Sequence, residues 1–443
     1  MKKISLLILS LSSIFINIHA QESFTLKQAI SFAIENAYSA KNAKADIVSA
    51  KKKVNETTSI GLPQVSAEGN FQNFIDIPTQ VIPANAFNPM ADPSLLVPVQ
   101  FGTKYNTSAA VTASQLLFDG SYIVGLQAAK TYKELSEKAA AKNENEIKEL
   151  VTQAYFTVLI AEENLKIIDS SLVNIKKNYS DAQQFNALGF NEEQDVDQLK
   201  LTLNNLQNLR NRSHNQVEIT YRMLKFQMGY ELEKQLKIAD NLNTILAELN
   251  AENTLNKELN ITQNTDYSLL ETQRKLMQLN LKKERFGYLP SLAAFFTHQQ
   301  SAFRNEFNFF ENKPWYPSTI WGLKLKIPLF DSGIKMSKTA QAKIDLEKIE
   351  TQQKQLEQAL KLKAYSSQSD FLLAKEKFNN EKENVLLAEK IYNKTFIKHK
   401  EGIASSLELT QAHTQWLNAQ GNYISSIYEL LNAKNQLDKI LNN

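Results

Sequence analysis

Residues 318–333, STIWGLKLKIPLFDSG, decide the fold because they join two different sequence periods. From Trp321 onward every second residue is large and apolar, and the positions between include Lys324 and Lys326. This period of two predicts a β-strand with one apolar and one polar face. The glycine that ends the stretch, Gly333, opens a proline-free run to the C terminus. We therefore expect a strand that leads directly into a long helix.

The ten prolines of the chain divide it in the same way. All of them lie in two windows, residues 61–118 and 288–330. A proline in a helix interior costs about 3 kcal/mol, so the proline-free remainder is free to be helical. Period-two alternation within the windows predicts two strand pairs, each joined by a long loop. The strands are expected at 63–72, 105–118, 290–299 and 318–330, and the loops at 73–104 and 300–317.

The proline-free segments carry a helical period instead. Apolar residues recur at alternating steps of four and three from Ile147 to Ala182 and from Leu409 to Ile440. An ordinary coiled coil accounts for such a seam, which indicates packing and not function. The pattern predicts a first helix at 24–58, long helices at 121–188 and 334–401, and return helices at 190–230 and 403–441. Each long helix would measure roughly 100 Å at about 1.5 Å per residue.

The landmarks occur twice in the same order, which indicates a tandem duplication. Leu-Pro opens both proline windows, at residues 62–63 and 289–290, and Leu-Phe-Asp closes both. A glycine suited to a left-handed cap ends each long helix, Gly189 in the first and Gly402 in the second. We therefore divide the mature chain into repeats at 21–230 and 263–443, with an inter-repeat equatorial segment at 231–262.

The N terminus predicts export from the cytoplasm. Lys2 and Lys3 precede a short apolar run that ends near Ala20, which is typical of a signal peptide at residues 1–20. An N-terminal anchor helix is the alternative, although the run is short for one. Removal of these two lysines from 50 basic residues leaves the chain near neutral against 47 acidic residues. That balance argues against a nucleic-acid binder. The chain has no cysteine, which excludes disulfides and thiolate chemistry.

The four strands are long enough to cross a membrane, since about ten residues suffice. A soluble sheet with one wet face would show the same alternation. Long loops at one end and helices at the other favour a transmembrane β-barrel. Four strands cannot close a barrel, which needs about eight. The chain must then oligomerise, and the strand count leaves two or three copies open.

On these residues the chain resembles the TolC family of outer-membrane efflux proteins. The resemblance rests on the Leu-Pro strand starts, the Leu-Phe-Asp junctions followed by Gly120 and Gly333, the tip glycines and the duplication. It implies a mainly α-helical fold with a small β part, a homotrimer with a twelve-stranded barrel in outer-membrane lipid, and a coiled-coil helical tunnel through the periplasm. The expected location is the outer membrane of a Gram-negative bacterium, with most of the mass in the periplasm.

The resemblance also implies a function as a passive conduit that catalyses nothing and needs no cofactor. Family members export drugs, toxic compounds or proteins, and are linked to multidrug resistance and type I secretion. Their partners are a periplasmic adaptor and an inner-membrane pump of the RND or ABC type. The alternative is a secreted periplasmic coiled-coil protein, structural or adaptor, without a membrane barrel. No phosphate loop, nucleophile elbow or paired-carboxylate motif favours an enzyme.

Candidate site residues follow from the resemblance, position by position. The periplasmic gate would use Glu408, Gln411 and Asp195, and the glutamine is a departure because the family carries an acid there. Helix-tip or adaptor docking would use Gly189, Phe190, Gly402 and Ile403. The alternative for the two acids is that they are solvated first-turn residues favoured by the helix dipole. The latch residues of the family are replaced here by His399 and Ala404, so the latch is expected to be absent or rebuilt.

Two further expectations concern side-chain chemistry. If the apolar residues of the strand at 318–330 face lipid, Lys324 and Lys326 face the barrel lumen. His399 and His413 flank one helix tip and raise the idea of a metal site, but surface histidines explain them better, so we expect no metal site.

Overall fold

The computed structural model describes residues 22–190, 192–247 and 259–442. The expected signal peptide, residues 1–20, lies outside them, as does part of the inter-repeat segment. The prediction of a mainly helical chain with a small β part is confirmed. Its elements are β1 Glu22–Phe24, α1 Leu26–Asn36, α2 Tyr38–Ser59, β2 Gln64–Asn73, β3 Thr79–Pro83, β4 Leu96–Gln100, β5 Tyr105–Phe118, α3 Gly120–Ala187, α4 Glu193–Met228, β6 Leu236–Ile238, α5 Leu242–Ala247, α6 Thr265–Phe286, β7 Ser291–Arg304, β8 Tyr316–Lys326, α7 Ile334–Lys400 and α8 Ser406–Asn442.

The elements form two compact units. The first consists of Met1–Lys44, Ala140–Thr265 and Glu357–Asn443, and the second of Ala45–Ala139 and Asp266–Leu356. Each unit therefore takes residues from both halves of the chain. The long helices α3 and α7 contribute residues to both units.

The second unit contains a four-stranded antiparallel sheet in the order β2-β5-β7-β8. The two hairpins meet where β5 pairs with β7, from Tyr105 opposite Arg304 to Phe118 opposite Leu292. Leu117 has no partner in this register, which marks a bulge just before the strand enters α3. The two strand pairs thus build one continuous sheet.

Apolar residues are the majority on one face of this sheet and polar residues on the other. Residues directly opposite in an antiparallel pair share a face. The row of Trp321, Phe296, Ala113 and Val65 therefore lies on one face. The same face carries Ala67, Phe71, Ala109, Val111, Leu292, Ala294, Leu323 and Leu325, and also the polar residues Thr107, Gln115, His298, Gln300, Arg304 and Thr319. The opposite face carries Gln64, Ser66, Glu68, Asn70, Ser108, Thr112, Ser114, Thr297, Gln299, Ser301, Ser318, Lys324 and Lys326, and also the apolar residues Leu116, Phe295, Phe303 and Ile320.

The strand bounds differ from those expected in the second hairpin. The strand expected at 290–299 runs from Ser291 to Arg304, and the one expected at 318–330 runs from Tyr316 to Lys326. Phe295 breaks the alternation of the first of these, yet it fits because it packs over Gly322 of β8. A Cβ at that glycine would lie 2.9 Å from the Phe295 ring. The second strand stops early because Pro328 cannot donate a ladder hydrogen bond.

The first long loop also differs from expectation. Residues 73–104 are expected to be irregular, but they contain the antiparallel hairpin β3–β4 with a short 3-10 turn at Ala84–Ala86. Prolines lie within both short strands, Pro83 in β3 and Pro98 in β4. The pairing leaves the outer edge of each strand open, where proline is tolerated.

The helix expected at 24–58 is two helices, α1 and α2, which break at Ala37. Gly229, at the C-cap of α4, has a φ of 68° and lies against the backbone of Asn36 and Ala37. A side chain at this glycine would overlap that backbone, so the close approach and the positive φ both require glycine. The break therefore accommodates the end of α4 in the first unit.

The inter-repeat segment is hydrogen-bonded to the first residues that the structure describes. β6 pairs in parallel with β1, and the carboxylate of Asp240 accepts the backbone N–H of Leu26 at 2.7 Å. The hydroxyl of Tyr155 lies 2.9 Å from both this carboxylate and the carbonyl of Phe24. Tyr155 is fully buried in the main core of the first unit, and burial raises its pKa. A buried polar network of this kind holds α1 against α3.

Candidate functional site

The two tips of the first unit have the same backbone geometry. Gly189 and Gly402 have φ values of 76° and 71°. In each tip the N–H of the following residue donates to the carbonyl five residues earlier, over 2.9 Å in the first and 2.8 Å in the second. This is the hydrogen bond of a Schellman cap, which needs a left-handed residue at the glycine position. The turn geometry therefore recurs at the offset of 213 residues between the glycines.

Both tips present an apolar side chain to solvent directly after the glycine. Phe190 is 76% exposed and Ile403 is 75% exposed. Leu188, just before the first glycine, is also exposed. Both side chains are thus available for contact with a partner. The four residues expected to dock an adaptor thus all lie at the two turns.

The acids expected at the gate lie in the first turns of the return helices. Asp195 is in the first turn of α4 and Glu408 in the first turn of α8, where the helix dipole favours a negative charge. The backbone N–H of Glu408 donates to the hydroxyl of Ser405 at 3.2 Å, which caps α8. Glu408 and Gln411 are exposed, and Asp195 is partly buried.

A histidine joins the two sides of the second tip. His399 Nε2 and Ser406 Oγ are 3.1 Å apart, and Ser406 is buried. Burial lowers the pKa of His399, while the negative charge of Asp195 acts in the opposite direction. The first-tip acid therefore lies close enough to the second tip to interact with it electrostatically. Sequence reasoning missed Ser406, although the Ser405-Ser406 pair before an apolar-periodic run was an available cap signal.

An aromatic cluster lies between α7 and α8, the two helices that the second turn joins. Tyr392 and Trp416 stack with ring centroids 5.1 Å apart, and His413 meets Tyr392 edge-on at 5.4 Å. His413 is 1% exposed, and its Nε2 has no hydrogen-bond partner among the described residues. Burial lowers the pKa of His413 to about 4. The expectation of a surface histidine was wrong here, because the seam of α8 carries this ring into the core.

A groove of about 640 Å³ lies between α7 and α8 in the same unit, and Gln411 is the one expected gate residue that lines it. Its polar lining residues also include Gln198, Glu381, Thr414, Gln415, Asn418 and Asn422. Leu387, Ile391 and Leu407 add apolar side chains to the lining. Such a surface offers both hydrogen bonds and apolar contact. The sequence showed the amide residues of α8 only as the polar positions between the apolar residues of the heptad seam, and so gave no sign of the groove.

The remaining expectations concern the sheet, metals and membrane helices. Lys324 and Lys326 lie on the polar face of the sheet, opposite in direction to Trp321, which is 78% exposed. Within the described ranges no group of three or more His, Asp or Glu side chains could hold a metal ion. Among the helices that the structure describes, none is both long and apolar enough to cross a membrane.

Comparison with known proteins gives a family match over part of the chain and a fold over nearly all of it. Residues 270–443, most of the second repeat, match the family model described as outer membrane efflux protein. No curated protein sequence matches the chain at a significant level. The matched range includes α7, the second tip and α8.

Solved structures match over nearly the whole chain. The CmeC outer membrane channel of Campylobacter jejuni is 16% identical with a TM-score of 0.71, over 94% of this chain and 85% of that chain. The open-state MtrE outer membrane channel of Neisseria gonorrhoeae is 14% identical with a TM-score of 0.72, over 94% and 88%. CusC, which forms a transmembrane channel, is 15% identical with a TM-score of 0.72, over 95% and 92%.

Identities this low establish a shared fold and leave function to be argued from the residues. The matches to channel proteins support the expectation that the chain is not an enzyme. The expected resemblance to TolC-like outer-membrane channels is confirmed: residues 270–443 match the outer membrane efflux protein family, and the chain has the fold of solved outer-membrane channels.

Proposed function

We propose that this chain is the subunit of a homotrimeric outer-membrane channel that exports small molecules or proteins. An inner-membrane pump of the RND or ABC type would drive export through a periplasmic adaptor. The chain itself is a passive conduit, gated at the helix tips. The family match and the channel fold support an efflux role in the outer membrane of a Gram-negative bacterium.

The observation that carries the proposal is the two-faced sheet. Trp321, Leu323 and Leu325 share one face and are all exposed, which is unfavourable in water but suits contact with lipid. Lys324 and Lys326 on the other face suit a water-filled lumen. Since four strands cannot close a barrel, the apolar faces need further copies to form a continuous outer wall. Three copies supply twelve strands.

The periplasmic alternative accounts less well for this sheet. A structural coiled coil or an adaptor would leave the apolar face in water, at a cost of about 25 cal/mol for each square ångström. Trypsin treatment of intact cells separates the alternatives, because Lys104 is exposed at the outer end of the sheet and is followed by Tyr105. Cleavage after Lys104 in intact cells supports a channel. Complete protection in intact cells, with cleavage after permeabilisation, would favour the periplasmic protein.

The gate follows from the tip geometry. Three copies of Glu408 near a common axis would repel one another and attract cations. Gln411, one turn further along α8, adds hydrogen bonding but no charge, so the filter has one acidic ring from this helix. Asp195 contributes a second acid near His399. Opening requires the tips to separate, and an adaptor can drive this only if it binds the open state more tightly.

Bilayer recordings of purified channels test the gate. Glu408→Ala should change the conductance and weaken block by multivalent cations, because the acidic ring that attracts cations is lost. The matched control is Glu389→Ala, which removes an exposed carboxylate from α7 away from the tip. Unchanged conductance and block in Glu408→Ala would show that Glu408 is only a solvated helix-start acid.

A further inference from the structure

The outermost loop of the first repeat carries an unusual apolar surface. The hairpin formed by residues 79–100, here called the apolar hairpin, leaves the sheet at Asn73 and returns to it at Tyr105. It therefore projects from the end of the sheet opposite to α2 and α3. Its exposed apolar side chains are Val81, Phe87, Met90, Leu95 and Leu96, and Met90 is 96% exposed.

The apolar hairpin has one covered and one open face. Ile82, Val97 and Val99 are partly buried against their own chain. Their neighbours in the ladder point the other way, and the pair Val81–Pro98 and the pair Pro83–Leu96 are exposed. The open face thus carries four apolar side chains beside the polar pair Thr79–Gln100, and Met90 is exposed in the turn between the two strands.

Local hydrogen bonds fix the turn that presents Met90. The N–H of Ala84 donates to the carbonyl of Leu95 at 2.7 Å, which closes the hairpin. The N–H of Met90 donates to the side chain of Asn88 at 3.1 Å. The Asp92 carboxylate accepts both the N–H and the hydroxyl of Ser94, which lowers its pKa. The carboxylate of Asp92, the only charged group of the apolar hairpin, therefore has its hydrogen-bond donors within the hairpin.

The absence of basic residues argues against lipid headgroups as the partner of the open face. Between Lys53 and Lys104 the chain has no lysine or arginine. A segment that lies on an anionic lipid surface normally carries basic residues. Lipid headgroups are therefore poor partners for the apolar hairpin, and water is unfavourable for its open face. A second surface of the same apolar, uncharged kind is the complementary partner.

The assembly supplies such a surface. In the proposed trimer, each copy places its apolar hairpin at the same level around the axis. Strand addition between hairpins would be interrupted, because Pro83 and Pro98 have no N–H to donate. Contact through the open faces needs no backbone pairing and buries apolar side chains on both partners.

We propose that the open faces of the apolar hairpins pack against one another between copies of this chain, forming an apolar cap at the outer mouth of the channel. This proposal rests on the proposed function, because it needs the copies arranged around one axis. The cap would restrict passage of solutes from outside and would part when cargo leaves.

Cross-linking tests the cap cleanly, because the chain has no cysteine of its own. In Met90→Cys, mild oxidation of intact cells should convert single chains into a two-chain species, with one chain of each trimer left over. The control is Asn312→Cys, which is exposed in the other outer loop and off the apolar hairpin. It should react with maleimide but remain mainly single-chain after oxidation.

A second variant tests the apolar nature of the contact. Leu96→Lys in the Met90→Cys background should abolish most of the cross-link, because three ammonium groups would meet on the open faces. Asn312→Lys in the same background adds the same charge outside the hairpin and should leave the cross-link intact. Loss of the cap should also increase the sensitivity of cells to large hydrophilic antibiotics that are normally excluded.

The outcomes separate the cap from the channel. If Met90→Cys trimers in the membrane fraction react with maleimide at the introduced thiol but do not cross-link, the cap is overturned and the channel stands. Quenching by brominated lipid of a fluorophore attached to that thiol would overturn the cap in favour of lipid contact. A soluble, single-chain protein would overturn the proposed function and the cap together.

Discussion

The buried histidine beneath the second tip should make that tip sensitive to acid. An unfolded histidine has a pKa of about 6.5, and burial lowers the pKa of His413 to about 4. The locally opened state therefore binds a proton before the closed state does. Stability of the tip is fully present above pH 6.5 and falls as the pH drops toward 4. At about 1.4 kcal/mol for each pKa unit, the loss is about 2 kcal/mol at pH 5 and about 3 kcal/mol below pH 4.

Hydrogen exchange followed by mass spectrometry measures this loss locally. On lowering the pH from 7 to 5, amides near residues 406–420 should exchange about twentyfold faster, after correction for the intrinsic pH dependence of exchange. His413→Leu fills the same apolar site without a titrating group and should remove most of the effect, while His399, whose pKa burial also lowers, supplies the remainder. His214→Gln, at an exposed position on α4, should leave it unchanged. Equal pH dependence in the native chain and His413→Leu would refute the reasoning, because the loss would then come from other groups.

Four further substitutions probe the second tip, α8 and the core. Gly402→Ala should destabilise the second tip by about 1 kcal/mol, because Gly402 has a positive φ. Gly421→Ala should stabilise α8 by a similar amount, because a side chain there would enter open space. Hydrogen exchange of α8 should therefore become faster in the first variant and slower in the second. Ser406→Ala should lower the stability of the second tip by about 1 kcal/mol, which would appear as faster hydrogen exchange at the tip. If the variant and the native chain exchange at the same rate, the contact between Ser406 and His399 contributes nothing to stability. Tyr155→Phe should reduce the stability of the first unit by roughly 1–3 kcal/mol, because the partly buried Asp240 carboxylate loses a donor. An unchanged denaturation midpoint would contradict that role.

Much of the fold could be predicted because its signals are local. Alternation of apolar and polar residues assigns strand faces directly, and it placed Trp321 and Lys324 on opposite faces of β8. Proline excludes helix wherever it occurs, so the two windows separated sheet from helix. The tip turns required a left-handed residue, and Gly189 and Gly402 were the available ones.

The features that sequence reasoning missed depend on tertiary contacts. Phe295 looked out of register because the cavity over Gly322 that receives it exists only once β7 and β8 pair. The hairpin β3–β4 was hidden by its prolines, which an edge strand tolerates and an interior strand does not. The burial of His413 depends on stacking between α7 and α8, and a single polar residue in a seam does not reveal it.

The number of copies, the gate and the partners stay predictions for a different reason. They depend on contacts between chains, and neither periodicity nor one folded chain specifies a symmetry axis. The strand count requires more than one copy, and the resemblance to the TolC family favours three.

Single-particle imaging of the detergent-extracted membrane fraction tests the channel most directly. The prediction is a membrane-bound particle with three-fold symmetry, a twelve-stranded barrel, and a helical part near the roughly 100 Å expected for helices of this length. A soluble, single-chain rod with nothing in the membrane pellet would contradict the barrel and make a periplasmic coiled-coil protein the correct description.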